Sequence, residues 1–400
     1  MCRINSRFSN SAAHNNVAAS DVYPQMRIET ALPVPSERAY GATMMFRTAL
    51  TATLLAAMMT IGANAPARAA RIGLVIPLEG PFKLLGEQSQ AGAEAAAAVN
   101  GDALVVIEDT CDAHSGSFVA KTLTDEKVDV AVGFLCLETV AAALPVLKDA
   151  KIPAITTAVR ADSLTDNKDK TGFLISRLGP RDDSEAVALA KFLLPGWSKL
   201  NFAIIDDGTI HARDMAESFR AAAVEAGLKP VFTDTYRPGL TNQAALARRL
   251  QKAGASHVFI GGDIDDAAVI SRDAKAYGGL EIAVGESGQP SGEVTDYGVI
   301  VALALPDLTL RNEAAAAKVA MEAAGIEPDN YALLAHAAVE IASQAARAGL
   351  PAVVGAGPYE TAIGPVMFSA AGDLADNPFK LERLSGISIL SDAPQGDSGQ

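Results

Sequence analysis

Short apolar runs alternate along most of the chain with alanine-rich segments that repeat at a helical spacing. The clearest example surrounds Cys111 and Cys136, where the apolar runs Leu104–Ile107 and Val128–Gly133 each precede a cysteine. Runs that are apolar throughout and rich in β-branched residues are typical of parallel strands buried on both faces. The residues between them repeat with a helical period. This stretch therefore predicts a strand, a helix, a second strand and a second helix of a parallel α/β sheet.

The same alternation continues on both sides of this stretch. The other predicted strands are Arg71–Pro77, Lys151–Thr157, Thr171–Arg177, Asn201–Asp206, Val231–Tyr236, Ser256–Gly261, Leu280–Val284 and Gly298–Ala304. The other predicted helices are Gly86–Asn100, Ser184–Leu194, Ala212–Gly227, Gln243–Lys252, Asp265–Ala276, Asn312–Ala324 and Asn330–Ala348. Strands that alternate with helices predict doubly wound parallel sheets. Pro180–Asp183 separates two such α/β units, and we expect the last two helices to return and cover the first unit.

Each cysteine of the opening stretch follows the C-terminal end of its strand. If the two strands are neighbours, both sulfurs lie on one rim of the sheet, within bridging reach. Open α/β sheets bind ligands at that rim. We therefore predict that a Cys111–Cys136 disulfide braces a binding rim, and a loop of this size contributes roughly 3 kcal/mol by the chain-entropy model. The alternative is two free buried thiols.

The N-terminal segment differs from the rest of the chain. Residues 1–43 are polar and aperiodic, and we expect a non-native or disordered leader there, with Met44 or Met45 as the natural start. Residues 44–69 combine an arginine, a short apolar run and Ala67-Arg68-Ala69, which is the pattern of a cleavable signal peptide. The apolar run is short for a membrane span, so an N-terminal anchor helix is the weaker alternative. Residues 392–400 are expected to form a disordered tail.

Composition and motifs narrow the class of protein. A length of 400 residues allows two or three domains, and the net charge of −14 argues against nucleic-acid and anionic membrane partners. The dinucleotide, phosphate-loop, nucleophile-elbow and zinc-protease motifs are missing, and the five histidines are scattered. The acidic pairs Asp206-Asp207 and Asp265-Asp266 are interpreted as strand-end or helix-cap residues. We therefore expect a protein without enzymatic activity, cofactor or metal site.

Several stretches, taken together, carry a resemblance. They are IGLVIPLEGPFKLLGEQSQAG, the EDTCD and VGFLC pair, KIPAITT, LISRLGPRDDSEA, PDNYALLAHAA and IGPVMFSAAGDL. In this order they resemble the leucine/isoleucine/valine-binding protein family, the type I periplasmic substrate-binding proteins of ABC transporters. The resemblance implies two doubly wound lobes joined by a three-strand hinge. It places the first lobe at 70–182 and 306–381, and the second at 183–305 and 382–391.

The resemblance also implies ligand-binding positions. In the family, the ligand carboxylate is held by the residue after the second cysteine, here Leu137, and by the loop after the next strand, here Ala158 to Arg160. The family usually has a hydroxyl residue where Leu137 stands, so Leu137 offers only its backbone N–H. Arg160 offers a bidentate fork, unless it is a solvated loop residue. Glu286 matches the acid that takes the ligand ammonium, unless it is an exposed loop acid.

Further positions change the expected ligand. His211 and Asp263 stand where the family often has aromatic residues, whereas Tyr331 keeps an aromatic at the pocket edge. The pocket thus gains charge, and a more polar amino acid, small carboxylate or amide fits at least as well as leucine. Thr139, beside the rim, is expected to cap the helix that follows the second cysteine.

The function that the resemblance implies is ligand capture. We expect a monomeric periplasmic protein that binds a small amino acid or related polar metabolite between its lobes and delivers it to an inner-membrane ABC permease. The alternative is a periplasmic ligand-sensing domain of the same fold that serves a signalling partner.

Overall fold

The computed structural model describes residues 69–349, residue 355 and residues 357–386. The predicted leader and signal segments, apart from residue 69, and the predicted tail lie outside the described residues. The strands are β1 (Arg71–Ile76), β2 (Ala103–Glu108), β3 (Val130–Gly133), β4 (Ala154–Thr156), β5 (Ile175–Arg177), β6 (Phe202–Asp206), β7 (Phe232–Thr235), β8 (His257–Gly261), β9 (Glu281–Glu286), β10 (Val299–Ala304) and β11 (Lys380–Ser385).

Helices connect nearly all of these strands. They are α1 (Lys83–Asn100), α2 (Ala113–Asp125), α3 (Leu137–Ala150), α4 (Ser163–Asp166), α5 (Lys168–Thr171), α6 (Ser184–Trp197), α7 (Ile210–Glu225), α8 (Ala244–Lys252), α9 (Ile264–Ala274), α10 (Ala315–Ala323) and α11 (Asn330–Arg347). Short 3₁₀ turns lie at Gly80–Phe82, Lys275–Tyr277, Leu308–Leu310 and Asn312–Ala314. The predicted strand Thr171–Arg177 is shorter than expected, because its first residue ends the helical turn α5. No helix in the described part of the chain has the length and apolar content of a membrane span.

The strands form two sheets. The first has the order β2-β1-β3-β4-β5, and all of its pairs are parallel. The second has the order β11-β10-β9-β8-β6-β7, in which β11 runs antiparallel to β10. The chain passes between the sheets three times, at 178–183, 305–307 and 375–379. These sheets confirm the predicted pair of doubly wound α/β lobes, whereas the predicted residue boundaries of the lobes stay a prediction.

Both faces of the first sheet are covered by helices. Leu74 of β1 points into a cluster with alanines of α1 and α11, and its neighbour Val75 points into a cluster with α2 and α3. Successive side chains of a strand point to opposite faces, so an apolar strand needs helices on both sides. Gly92 lets α1 approach α11 closely, because a β carbon there would overlap with the carbonyl oxygen of Ala332. The return of α11 to the first sheet confirms the expected cover.

The second sheet has the same construction. Ile205 of β6 packs with residues of α8 and α9, and the adjacent Ile204 packs with residues of α6 and α7. The C-terminal ends of β6, β8 and β9 lead into the loops 207–209, 262–263 and 287–298. These loops face the loops that follow the strands of the first sheet.

The Cys111–Cys136 disulfide is present, but the route to it differs from the prediction. Strands β2 and β3 are not neighbours, since β1 lies between them. The Cα atoms of the two cysteines are nevertheless 5.2 Å apart. Both loops turn through left-handed residues, Cys111 with φ 59° and Phe134 with φ 51°, and meet above the end of β1. The bridge therefore ties the loop after β2 to the loop after β3 across the end of β1.

Reduction of this disulfide is expected to lower the free energy of unfolding by about 3 kcal/mol, because it releases a closed loop in the unfolded chain. Urea denaturation with and without a phosphine reductant measures the change. The Cys111→Ser/Cys136→Ser variant is the control, since it should match the reduced protein and not respond to reductant. Equal urea midpoints for the oxidised and reduced chains would contradict the expected stabilisation by the disulfide.

Candidate functional site

Two neighbouring cavities share Glu286 at the end of β9, of which the first is lined by residues of both lobes and the second by residues of the second lobe alone. The first has a volume of about 620 Å³, and the second about 420 Å³. Polar residues of the first cavity include Arg160, Arg311, Asn330, Tyr331, Asp376 and Lys380. Polar residues of the second include Glu185, Asp207, Thr209, His211 and Asp263. These volumes fall in the range of small-molecule sites, and the cavities lie at the strand ends where α/β sheets bind ligands.

Arg160 reaches across from the first lobe to the second. Its Nη1 is paired with the Glu286 carboxylate, and both side chains remain partly open, 26% and 30% exposed. The guanidinium also lies 3.5 Å from Asp182 and 4.0 Å from Glu185. Its charged centre sits 5.5 Å from the centroid of the Phe379 ring. Three carboxylates and an aromatic face thus surround one guanidinium.

A buried arginine holds the loop that carries Arg160. Arg177 of β5 is fully buried and donates to the backbone carbonyl oxygens of Arg160 at 2.7 Å and Ala161 at 3.0 Å. Its Nε lies 2.7 Å from the carboxylate of Asp373, which comes from the late segment after α11. Backbone hydrogen bonds from a fixed side chain leave the loop little freedom. The position of Arg160 therefore depends on a core ion pair.

Glu185, in the first turn of α6, holds Glu286 from the other side. Its side chain is 6% exposed, and one of its oxygens accepts the backbone N–H of Glu286. Gly285 permits this approach, because a β carbon there would overlap with the Glu185 carboxylate. The end of β9 is thus fixed by a buried acid, and the Glu286 side chain is free to face the cleft.

The acidic and histidine candidates of the second lobe lie in the second cavity. Asp263 caps α9, and its side chain accepts the N–H of Asp265 at 2.7 Å. His211 lies in the first turn of α7 with an exposed side chain. The structure therefore brings Arg160, Glu286, His211 and Asp263 to one cleft.

The remaining predicted positions divide into two groups. Ala158 and Tyr331 line the first cavity, Ala158 after β4 and Tyr331 at the start of α11. Leu137 begins α3, lines neither cavity and packs against the apolar core beneath it. Its backbone N–H stays a predicted contact. The expectation for Thr139 was wrong, because its buried hydroxyl donates to Asp109 instead of capping the helix.

Glu185, Asp207 and Phe379 were not recognised as site residues from the sequence. A signal for Glu185 was present, since it lies four residues before Leu189 and eight before Leu193 on the buried face of α6. A charged residue at an otherwise apolar position of a helix indicates a special partner. No comparable pattern marks Phe379, whose partner Arg160 is distant in the chain.

Comparison with known proteins places the chain in a family. A family model described as "Periplasmic binding protein" matches residues 69–381. The chain belongs to the periplasmic binding protein family. Relatives of this periplasmic binding protein include Leu/Ile/Val-binding protein homolog 3 of Brucella melitensis, 27% identical over 78% of this chain and 90% of the relative. Leu/Ile/Val-binding protein BraC3 of Rhizobium johnstonii is 26% identical over 86% of this chain and 98% of the relative.

Solved structures of similar shape include an ABC transporter substrate-binding protein from Desulfitobacterium hafniense in complex with Leu. Its TM-score is 0.58 at 20% sequence identity, and the match covers 80% of this chain and 98% of the other. At this identity the likeness shows the fold. This periplasmic binding protein therefore has the type I two-lobed fold that its sequence resemblance implied.

Proposed function

We propose that this periplasmic binding protein captures a small amino acid between its two lobes and delivers it to an inner-membrane ABC permease. The carrying observation is the Arg160–Glu286 pair, which places one cation of the first lobe against one anion of the second. An amino acid carries the complementary charges on two groups bonded to the same α carbon. The names of two relatives, Leu/Ile/Val-binding protein homolog 3 and Leu/Ile/Val-binding protein BraC3, support an amino-acid ligand.

In this proposal the ligand replaces a protein ion pair by two ligand contacts. The carboxylate of the amino acid binds the guanidinium of Arg160, and its ammonium binds the carboxylate of Glu286. A partly exposed ion pair contributes only about 0–1 kcal/mol, whereas charge-assisted hydrogen bonds to a ligand are roughly twice as strong as neutral ones. The exchange therefore replaces one partly exposed ion pair by two charge-assisted contacts with the ligand.

The ligand contacts with Arg160 and Glu286 also explain why the two lobes would close on the ligand. Only a conformation with both lobes close together lets one ligand touch Arg160 and Glu286 at once. A ligand that binds this conformation preferentially shifts the lobes toward it. The closed, ligand-loaded monomer is then the form that docks on the permease. The family and the signal-type pattern of residues 44–69 support a periplasmic location for this step.

Thermal unfolding with the twenty standard amino acids, one at a time, tests the proposal. A ligand at a hundredfold excess over its dissociation constant adds about 2.7 kcal/mol to the free energy of unfolding, so the melting temperature rises. The controls are matched carboxylic acids without the amino group and matched amines without the carboxyl group, which should each stabilise less. Small-angle scattering should show smaller dimensions with the stabilising amino acid. Absence of any stabilising amino acid, or equal stabilisation by the matched acids, would contradict the proposal.

A further inference from the structure

The second cavity has a surplus of acidic side chains. Its lining contains the carboxylates of Glu185, Asp207, Asp263 and Glu286, and its one basic side chain is the imidazole of His211. The first cavity, in contrast, is lined by Arg160, Arg311 and Lys380 as well as by acids. The cleft is therefore polarised, with its cations toward the first cavity and the surplus of carboxylates in the second.

Two of the four carboxylates are already engaged. Glu286 pairs with Arg160, and Glu185 accepts the backbone N–H of Glu286 while it lies 4.0 Å from Arg160. Asp207 and Asp263 have only backbone N–H donors, those of Thr209 at 2.8 Å and Asp265 at 2.7 Å. Neither aspartate forms a salt bridge with a lysine or arginine of the described residues. Turn and cap hydrogen bonds alone would explain these two acids, so a further observation is needed.

Tyr236 supplies that observation. The residue is 4% exposed, and its hydroxyl has no hydrogen-bond partner among the described residues. The hydroxyl oxygen lies against Gly262 of the cavity wall, since a β carbon there would overlap with it and lie 3.3 Å from the Asp207 carboxylate. A buried hydroxyl without a partner is destabilising, so its retention beside this wall points to a missing group.

The electrostatic surroundings of this hydroxyl indicate the sign of that group. Burial raises the pKa of Tyr236, and the negative charges of Asp266, Asp207, Asp263 and Asp206 raise it further. The phenol therefore stays protonated and neutral in a strongly negative environment. An anion would be repelled there, whereas a cation with N–H donors would satisfy the carboxylates and the phenol oxygen together.

We propose that the second cavity binds an ammonium or guanidinium group, and that the preferred ligands are amino acids with a positively charged side chain. The inference rests on the proposed function, in which Arg160 and Glu286 take the α-carboxylate and the α-ammonium. The side-chain cation of the same ligand then lies between Asp207 and Asp263. Closure around a neutral side chain would remove these two carboxylates from water without a counter-charge, which is unfavourable.

Calorimetric titration with two matched ligand pairs tests this preference. Norleucine is lysine with a hydrogen atom in place of the side-chain ammonium, and citrulline is arginine with a neutral ureido group in place of the guanidinium. Lysine and arginine are expected to bind at least tenfold more tightly than their neutral counterparts. The Asp207→Asn/Asp263→Asn variant should abolish this ratio by weakening lysine binding and tightening norleucine binding, because asparagine keeps the cap and turn acceptors but removes both charges.

The control variant is Asp214→Asn/Glu225→Gln, which removes two exposed negative charges of α7 outside the cavity. This control should keep the tenfold preference for lysine over norleucine and for arginine over citrulline. Tyr236→Phe should weaken lysine binding and leave norleucine binding unchanged.

The outcomes separate this inference from the proposed function. If neutral amino acids bind as tightly as their basic counterparts, the inference is wrong and the proposed function stands. If none of the twenty standard amino acids binds, both are wrong. Calcium chloride gives a further comparison. If it stabilises the parent but not the Asp207→Asn/Asp263→Asn variant, and basic amino acids are not preferred, the cavity binds a metal ion and the inference is wrong.

Discussion

Replacement of Asp373 by alanine is expected to lower the free energy of unfolding by about 3–5 kcal/mol, because it leaves a buried guanidinium without its counter-charge. Arg177 is 0% exposed, and its Nε lies 2.7 Å from the Asp373 carboxylate. Burial lowers the pKa of Arg177, and the charge of Asp373 opposes that effect. Arg181 also lies 3.6 Å from this carboxylate. Removal of the carboxylate therefore leaves two neighbouring arginines without the negative charge that they share.

The matched control is Asp296→Ala. This aspartate pairs with Lys275, but its side chain is 77% exposed, and loss of such a pair costs up to about 1 kcal/mol. Urea denaturation of both variants, with unchanged m-values, gives the comparison. Equal losses for Asp373→Ala and Asp296→Ala would show that the Arg177 site is not stabilised by charge.

The Asp373→Ala variant also tests the link between core and cleft. Arg177 holds the carbonyl oxygens of Arg160 and Ala161, so a displaced Arg177 releases the loop that carries Arg160. Amino-acid affinity should fall together with stability, even though Asp373 lines neither cavity. Affinity that is unchanged at a temperature where the variant is folded would contradict this link.

Glu286→Gln is expected to weaken the binding of a stabilising amino acid by about 30-fold or more. Removal of one partner of a desolvated charge pair typically costs 2–5 kcal/mol at an interface. Glutamine keeps the size and an acceptor oxygen, so the loss reports the charge. Calorimetric titration measures the dissociation constants of the variant and the parent.

Glu293→Gln is the control for this effect, because Glu293 is an exposed acid of the loop after β9 and lines neither cavity. It should bind as the parent does. A double-mutant cycle with Arg160→Gln then measures the coupling between the two cleft residues. If Arg160→Gln and Glu286→Gln contribute independently, the two side chains do not hold one zwitterion between them. Equal affinities of the Glu286→Gln and Glu293→Gln variants would show that the Glu286 carboxylate does not bind the ligand.

Sequence patterns predicted the local elements well, and the misses have identifiable reasons. Strand β11 was not predicted, because it is an edge strand whose only buried residue is Leu384. Helices α4 and α5 have four residues each, too few for a helical period to show. Helix α2 buries Val119 and Leu123, whereas the side chain of Phe118 beside them is largely exposed, so an apolar residue alone does not mark the buried face.

In the cleft, too, the sequence predicted some of the site residues and missed others. The positions Ala158, Arg160, Glu286 and Tyr331 came from a family resemblance, and the structure places them around one cavity. The pairing of Arg160 with Glu286 joins residues 126 positions apart, so no local pattern reveals it. Glu185 carried a weak signal as a charge on an apolar helix face, yet its partner, the backbone of Glu286, is 101 positions away.

The sequence by itself determined the alternation of strands and helices and the presence of a cysteine at two strand ends. Apolar periodicity reports these features because each element buries one stripe or two faces of its own residues. Only the tertiary structure decided that β1 separates β2 from β3, that the disulfide crosses above it, and that three carboxylates surround the guanidinium of Arg160. These arrangements depend on how whole lobes pack and face each other, and residues far apart in the chain contribute to them through contacts that leave no local period.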